Sequence, residues 1–328
     1  MKNNSTTKQK ETHPMKTHRI NAALGIVAVG LLLLFDPAAS RAALFVSNYA
    51  NNTITKLDSA GVGTLFTSSN LSNPSGLAFD SSGNLYVANE GNNTIWKFSS
   101  TGTDLGLFAS TGLSLPSGLA FDSSGNLYAA NRTSNEIRKF DPTGTTSTVF
   151  AGSSDGLSSP NGLAFDSSGN LYVSTAGSGP SIYKFTASHT GSQFATTSDG
   201  LSQPIGLAFD NAGNLYVANN NSPGNNIEKF TAPHSGTTFA STGLSLPWGL
   251  AFDSAGNLYA SNEGTSTIEK FSPTGMDLGV FADGADGLSH PLFIAFSPEA
   301  VPEPTMALFA GSFGALFFLR RHRRRTAA

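Results

Sequence analysis

An internal repeat, marked by prolines 42 to 44 residues apart, constrains this chain more than any other feature. The prolines are Pro74, Pro116, Pro160, Pro204, Pro247 and Pro291. The first five are followed, after one residue, by the segment GLAFD, at 76–80, 118–122, 162–166, 206–210 and 249–253. A fixed period of this length indicates a repeat architecture, so the whole fold follows from the structure of one repeat.

Each copy contains four short apolar runs, which indicate strands rather than helices. In the copy after Pro74 they cover residues 76–80, 84–89, 94–98 and 106–109. Short runs rich in Val, Ile, Leu, Phe and Tyr and bounded by Gly, Ser and Asn are typical of strands. Asp80 and Gly83 supply the chemistry of a tight hairpin turn between the first two runs. The repeat is therefore predicted to be a four-stranded antiparallel sheet.

Repeated small sheets of this kind bury their faces against one another when they are arranged in a ring, as in a β-propeller. The second and third runs each occur six times, whereas GLAFD occurs only five times. The chain enters at Leu44–Asn48, which is a second run, and the matching first run is Pro291–Phe296 near the other end. The sequence thus predicts an all-β, six-bladed propeller in which a C-terminal strand pairs with the first blade.

The first 42 residues are predicted to be a secretory signal peptide. Residues 1–19 are basic, residues 20–35 are apolar, and the following residues are small. This order is typical of export signals, and the small residues Ser40 and Ala42 predict cleavage after Ala42. Met15 is an alternative start, and an uncleaved signal anchor is the alternative to cleavage.

The predicted propeller domain, residues 43–301, is acidic and lacks cysteine. It holds eight Lys and Arg against nineteen Asp and Glu, and the whole chain contains no Cys. An acidic surface argues against nucleic acid and against anionic membrane surfaces as partners. Without disulfides, the domain must be stabilised by packing and ring closure.

Residues 302–328 form a separate tail with three parts. Pro302, Glu303 and Pro304 precede an uncharged apolar run, 305–319, predicted to be a short transmembrane helix. Fifteen residues are fewer than the roughly 20 of a usual span, although flanking arginines extend the reach. The basic end, residues 320–325, contains Arg320, Arg321, Arg323, Arg324 and Arg325. These arginines predict a cytoplasmic tail with the propeller on the other side of the membrane.

The middle of the chain resembles the NHL repeat family. The resemblance is carried by Phe79–Ala88 (FDSSGNLYVA) and Gly91–Phe98 (GNNTIWKF), with weaker copies over about four fifths of the chain. It implies a propeller but no particular activity, because propellers serve many functions. After YVA the family usually has Asp, and this chain has Asn, as at Asn89.

The tail resembles the PEP-CTERM sorting signal, because Val-Pro-Glu-Pro, an apolar run and an arginine cluster follow one another at the C-terminus. The resemblance implies processing by an exosortase-type membrane enzyme in a Gram-negative bacterium that makes extracellular polysaccharide. It implies a precursor transiently inserted in the inner membrane with a periplasmic propeller, and a mature form at the outer envelope or outside the cell. The alternative is a plain C-terminal membrane anchor.

The loops at one end of the predicted ring vary between copies. The varying positions follow each proline or follow the last residue of each second run. In blades six, one and two, which are consecutive in a closed ring, they carry Trp248, Glu263, Tyr49 and Glu90. Aromatic faces cover the apolar surface of a sugar while polar groups take its hydroxyls, so these four residues are predicted to bind a glycan. The alternative is that Trp248 fills the mouth of the channel as core.

Two repeated features at the other end are interpreted as structural. Each Asp that ends GLAFD is predicted to cap its own hairpin turn rather than to bind metal. His189 and His234 occupy matching turns between third and fourth strands, and they are interpreted as exposed turn residues rather than as a metal pair.

The sequence predicts a non-catalytic binding or scaffold module of the envelope or extracellular matrix, acting on polysaccharide or on another envelope protein. It contains no Ser-His-Asp order, phosphate loop or zinc motif, so no catalytic residue, metal site or cofactor is predicted. The alternative is a lactonase- or lyase-like enzyme with a metal in the central channel. Glu90 and Glu263 with the Asn residues would then supply ligands, although no His is expected there to act as a base.

Overall fold

The computed structural model describes residues 42–298, apart from 222–223. The predicted signal peptide, the predicted tail helix and the sorting motif lie outside the described residues. Within that described part, no helix is long and apolar enough to cross a membrane.

The described chain forms six four-stranded antiparallel sheets, the blades of a propeller. Blade 1 contains, from the inner strand outward, β24 (Pro291–Phe296), β1 (Leu44–Asn48), β2 (Thr53–Leu57) and β3 (Gly63–Thr67). Blade 2 contains β4 (Pro74–Phe79), β5 (Leu85–Asn89), β6 (Thr94–Phe98) and β7 (Asp104–Ala109). Blade 3 contains β8 (Pro116–Phe121), β9 (Leu127–Asn131), β10 (Glu136–Phe140) and β11 (Ser147–Ala151).

The remaining blades repeat this order. Blade 4 contains β12 (Pro160–Phe165), β13 (Leu171–Thr175), β14 (Ser181–Phe185) and β15 (Gly191–Thr196). Blade 5 contains β16 (Pro204–Phe209), β17 (Leu215–Asn219), β18 (Asn226–Phe230) and β19 (Thr237–Ala240). Blade 6 contains β20 (Pro247–Phe252), β21 (Leu258–Asn262), β22 (Thr267–Phe271) and β23 (Asp277–Ala282). Short 3-10 helices follow the outer strands of blades 3, 4 and 6, at Ser153–Asp155, Thr197–Asp199 and Gly284–Asp286.

The two ends of the described chain close the ring, as the sequence predicted. β24 pairs with β1, and Leu44 lies opposite Phe296 while Phe45 lies opposite Ala295. The Ala43 N–H donates to Ser297 Oγ at 3.1 Å, and the Ser297 N–H donates to the Ala43 carbonyl at 2.9 Å. The predicted closure is confirmed.

The core lies between neighbouring blades. Tyr86, for example, packs edge-on against Phe108 of its own blade and Phe121 of the next, with ring centroids 4.9 Å apart in both pairs. Four of the other five interfaces repeat this contact with their own Tyr, and Phe45 takes its place between blades 1 and 2. Aromatic edge-to-face pairs of this kind stabilise beyond the area they bury.

A glycine on the inner strand lets five of the six blades approach their neighbours closely. A Cβ at Gly76 would collide with the Ser117 carbonyl oxygen, and the same holds for Gly118, Gly162 and Gly206 with the next blade. Blade 1 has Phe293 at this position, so the inner strands of blades 1 and 2 cannot repeat the contact. The ring is therefore not sixfold symmetric at its axis.

At the end of the ring where inner strands turn into second strands, here called the turn end, the repeated Asp caps its own hairpin. Asp80 accepts hydrogen bonds from the N–H groups of Ser82 and Asn84 and lies 3.3 Å from Lys97 Nζ. Burial raises the pKa of Asp80, but the Asn84 hydrogen bonds and the Lys97 ammonium outweigh burial and leave it lowered. Lys97 in turn lies 4.9 Å from the ring centre of Tyr86. This Asp, Asn, Tyr and Lys set recurs in blades 2 to 6.

Candidate functional site

The opposite end, here called the mouth, is formed by the turns between second and third strands and by the loops that lead into the inner strands. In each blade the N–H after the second strand donates to the carbonyl just before the proline, as from Glu90 to Asn73 at 3.1 Å. All six residues before these prolines adopt left-handed φ values, including Leu115 at 48° and Leu246 at 49°. Such values are strained for leucine. This hydrogen bond holds the two variable positions of each blade together at the mouth.

The Asn residues that end the second strands are structural. Asn89 is fully buried, and its Oδ1 accepts from the Ser72 N–H while its Nδ2 donates to the Asn70 carbonyl. Asn131 and Asn262 bind their own loops in the same way. Their oxygen atoms are therefore occupied by backbone donors and do not face the axis as ligands.

Glu90 and Arg132 form an ion pair between blades 2 and 3. Arg132 Nη1 lies 3.4 Å from Glu90 Oε2 and 3.5 Å from Oε1. Glu90 is only 6% exposed. Burial raises the pKa of Glu90, and the Arg132 guanidinium opposes this only in part. A buried carboxylate facing one arginine is held in a fixed orientation.

Glu263 approaches this pair from blade 6. It is close enough for its charge to contribute to the raised pKa of Glu90. Burial also raises the pKa of Glu263 itself, while His290 and Arg132 lower it. The mouth therefore holds one close carboxylate–arginine pair, with a second carboxyl and a histidine near enough for their charges to act on it or on each other.

Trp248 lies beside Phe293, with ring centroids 6.5 Å apart and nearly perpendicular planes. Its ring is partly exposed, yet Nε1 is buried without a hydrogen-bond partner in the described part of the chain. Tyr49 is also partly exposed, and its carbonyl accepts from Asn73 Nδ2 at 3.3 Å. Trp248 thus serves both as a packing partner of the closing strand and as part of the mouth.

The residues that follow the prolines divide the mouth into two halves. Blades 2, 3 and 4 contribute the buried residues Ser75, Ser117 and Asn161. Ser75 lies against the Glu90 carboxyl, whereas Ser117 Oγ and Asn161 Oδ1 have no hydrogen-bond partner within the described residues. Blades 5, 6 and 1 contribute Ile205, Trp248 and Leu292. Buried polar atoms are almost always hydrogen-bonded. The polar half therefore retains unused hydrogen-bonding capacity, and the other half is apolar.

A second group of buried carboxyls lies under the loops that lead to the mouth. Glu269, on β22, is 4% exposed and lies beneath Gly243, near Asp277. Burial and the Asp277 carboxylate raise the pKa of Glu269 to about 7. Glu228 occupies the matching position in blade 5, and burial raises its pKa, while Thr238 and Asn226 hydrogen-bond to it.

The structure places all four predicted site residues, Trp248, Glu263, Tyr49 and Glu90, at the mouth. Sequence reasoning overlooked Arg132 and His290. The charge of His290, a histidine not anticipated at this end of the ring, lowers the pKa of Glu263. His290 precedes Pro291 as Asn73 precedes Pro74, so aligning the repeats would have placed His290 at the mouth.

The donor set at the mouth does not fit a metal ion. Among the described residues, no group of three or more His, Asp or Glu side chains is placed to hold one. The Glu90 carboxylate is paired with Arg132, and the Asn side chains bind backbone groups.

His189 and His234 lie at the turn end, away from the mouth. The His189 ring stacks on Phe150, with centroids 4.7 Å apart. His234 Nδ1 lies 2.7 Å from Asp199 Oδ2 and links blades 5 and 4. Both histidines therefore have packing or hydrogen-bonding partners in the fold.

Comparisons with known proteins support the repeat and the architecture. Residues 71–98, which run from the loop before β4 to the end of β6, match the NHL repeat family. No curated protein sequence matches the chain.

Solved propeller structures are similar to the described fold. The structure of a nidogen/laminin complex matches with a TM-score of 0.69 at 19% identity, covering 78% of this chain and 98% of the other. A gluconolactonase from Xanthomonas campestris matches with a TM-score of 0.58 at 19% identity, covering 72% and 86%. A streptogramin B lyase matches with a TM-score of 0.59 at 17% identity, covering 81% and 93%. At these identities the likeness concerns the fold alone.

Proposed function

We propose that this propeller is a non-catalytic binding module whose mouth takes a glycan. The observation that carries the proposal is the division of the mouth into a polar half with unpaired buried atoms and an apolar half with Trp248. Pockets for small molecules combine apolar walls with a few fixed polar groups. A sugar presents the matching surfaces, because its ring has apolar CH faces and a rim of hydroxyls.

The Glu90–Arg132 pair favours binding over hydrolysis. An arginine at 3.4 Å from the carboxylate stabilises the charged form in place and offers fixed donors to a ligand. Among the similar folds, nidogen is seen in complex with laminin. A propeller of this fold can therefore serve as a binding module.

A lactonase- or lyase-like activity is the second candidate. It is favoured by the raised pKa of Glu90 and of Glu263, since carboxyls shifted toward neutral pH serve as general acids or bases. Similar folds include a gluconolactonase and a streptogramin B lyase. Because the donor set does not fit a metal, such an activity would depend on the carboxyls themselves.

The binding proposal is tested by titrating residues 43–301 with extracellular polysaccharides and their oligosaccharides. Trp248→Ala is expected to weaken binding of the best glycan by more than about 1 kcal/mol, the scale of a buried aromatic contact. Trp248→Phe is the matched control, because it keeps an aromatic ring at the same position. Unchanged affinity in Trp248→Ala, or loss of its fold, would remove Trp248 from the site. Turnover of simple lactones that Glu90→Gln abolishes would establish the enzyme instead.

We also propose that the chain is exported, and that residues 302–328 direct its sorting. Replacing Pro302, Glu303 and Pro304 with alanine leaves the apolar run and the arginines as a stop-transfer unit. The variant is therefore expected to remain full-length in the inner membrane of the native host, while the parent is processed. Equal processing of both would reduce the tail to a simple anchor.

A further inference from the structure

The groove between blades 6 and 1 at the turn end is larger than the matching grooves at the two preceding interfaces. It encloses about 590 Å³, whereas the matching grooves between blades 5 and 6 and between blades 4 and 5 enclose about 230 and 150 Å³. The difference has a structural cause. In blades 2 to 6 a hairpin turn joins the inner strand to the second strand, and in blade 1 the two chain ends, Ala43 and Ser297, take its place.

The walls of this groove are largely aromatic. They include Phe252, Tyr259 and Phe281 of blade 6 and Phe296 of blade 1. Asp253 and Lys270 lie on one side, and Asp58 lies on the other. A cavity of this size is within the range of roughly 300 to 1,000 Å³ that binds small molecules.

The groove opens onto an apolar rim. Met276 and Leu278 of blade 6 are 62% and 47% exposed, and Val62 and Leu65 of blade 1 are 55% and 65% exposed. Exposed large apolar side chains also occur on the outer strands of blades 2 and 3, at Leu105, Leu107 and Val149, whereas β15 and β19 of blades 4 and 5 have none among the described residues. Exposed apolar side chains beside a cavity are typical of an interaction site.

We propose that the apolar segment 305–319 of this same chain docks in the groove and on this rim whenever it is not in a bilayer. The described chain ends at Pro298, two residues after Phe296 on the groove wall. Residues 299–304 span at most about 20 Å at 3.3 to 3.6 Å per residue, so the segment begins within reach of the rim.

Chemistry and charge fit this occupant. The segment is uncharged and apolar over fifteen residues, and exposing it to water is unfavourable. It is followed by five arginines within residues 320–325, and the carboxylates of Asp58 and Asp253 line the groove. Because blade 1 lacks this hairpin turn, the groove is wide enough for segment 305–319 to occupy.

The absence of cysteine makes a direct test possible in the full-length chain. Met276→Cys combined with Leu308→Cys is expected to form a disulfide within one chain under mild oxidation in detergent-free buffer. Ser192→Cys with Leu308→Cys is the matched control, because Ser192 is exposed on β15 in blade 4. Adding Leu278→Asp to the first pair is expected to reduce the disulfide yield roughly tenfold, as for a contact worth about 1.4 kcal/mol.

Other results would overturn the proposal. Equal yields for Met276 and Ser192 would mean that the segment has no preferred place on the propeller. Disulfides between two chains would identify a second copy as the occupant. Efficient linkage of Met276→Cys to Leu33→Cys, in place of Leu308→Cys, would identify the N-terminal apolar run. None of these outcomes depends on whether the mouth binds a glycan.

Discussion

At the turn end of the ring, blades 2 to 6 carry the same Asp, Asn, Tyr and Lys, whereas at the mouth no two blades carry the same pair of variable residues. At the turn end each side chain has a fixed partner, as Asp80 has in Asn84 and Lys97. At the mouth several buried polar atoms have none in the described residues. The turn end is therefore dictated by the fold, and the mouth is where the sequence is free to serve a ligand.

The largest effect is expected from deleting β24, the strand that closes the ring and reaches from the mouth to the turn end. Deleting residues 290–328 removes β24 and leaves β1 as an unpaired apolar edge, which favours aggregation. We expect the cooperative thermal transition of the parent, measured by circular dichroism, to disappear. Deleting only residues 299–328 is the control and is expected to keep the transition. A shortened chain without β24 that melts like the parent would contradict the closure.

A smaller effect is expected from single substitutions, which should destabilise the fold more at the turn end than at the mouth. Asp210 accepts hydrogen bonds from Ala212, Asn214 and Tyr216, so Asp210→Ala is expected to lower the free energy of unfolding by about 2 kcal/mol. Asn220, at the mouth of the same blade, makes one long side-chain contact to the Pro247 carbonyl. Asn220→Ala is expected to change stability by less than about 0.5 kcal/mol. Urea unfolding measures both, and equal losses would erase the distinction.

The two ends also respond oppositely to pH. The pKa of Asp210 is lowered in the fold, so its stabilisation is lost as pH falls below its ordinary value of 3.8. The pKa of Glu269 is raised from 4.5 to about 7, so its contribution is present below pH 4.5 and is lost as pH rises toward 7. Glu269→Gln is therefore expected to raise Tm relative to the parent at pH 8, with little difference at pH 4. A Tm difference independent of pH would contradict this.

The smallest expected effect concerns the histidines of the turn end. His189→Ala and His234→Ala are expected to leave glycan affinity unchanged, because both side chains lie at the end opposite to Trp248. His234→Ala removes the contact with Asp199, and a surface change of this kind alters stability by about 0.5 kcal/mol or less. Calorimetric titration with the glycan measures the affinity of both histidine variants and of Trp248→Ala under the same conditions. Weakened binding in either histidine variant would move the ligand site away from the mouth.

Most of the fold could be predicted because the same pattern of strands and turns occurs in every repeat. Alternating apolar runs, Asp-Gly turns and the count of strands indicated six blades, and Pro291–Phe296 completed the first one. The effect of Phe293 could not be predicted from the repeat. The other five blades have glycine at this position because a side chain would collide with the next blade, and that contact is visible only in the structure.

The site could be predicted only as far as position. Variable loop residues such as Glu90 and Trp248 were placed correctly at the mouth, because strand order determines which end they occupy. The Glu90–Arg132 pair could not be predicted from spacing, since it depends on side-chain directions across two blades. The partners of Asn89 are likewise backbone groups of its own loop, which a residue pattern does not reveal.

The closure by β1 and β24 also governs how the chain reaches its fold. Ala43 and Ser297 are 254 positions apart, whereas the strands of every other blade are neighbours along the chain. Contacts between distant residues form late, because the loop entropy must be overcome first. In a chain that emerges with its N-terminus first, β1 can pair with β2 early, but its other edge stays unpaired until β24 is released. Five blades can form in that interval. The rate at which β24 then pairs with β1 determines how long the edge of β1 can pair with other chains instead.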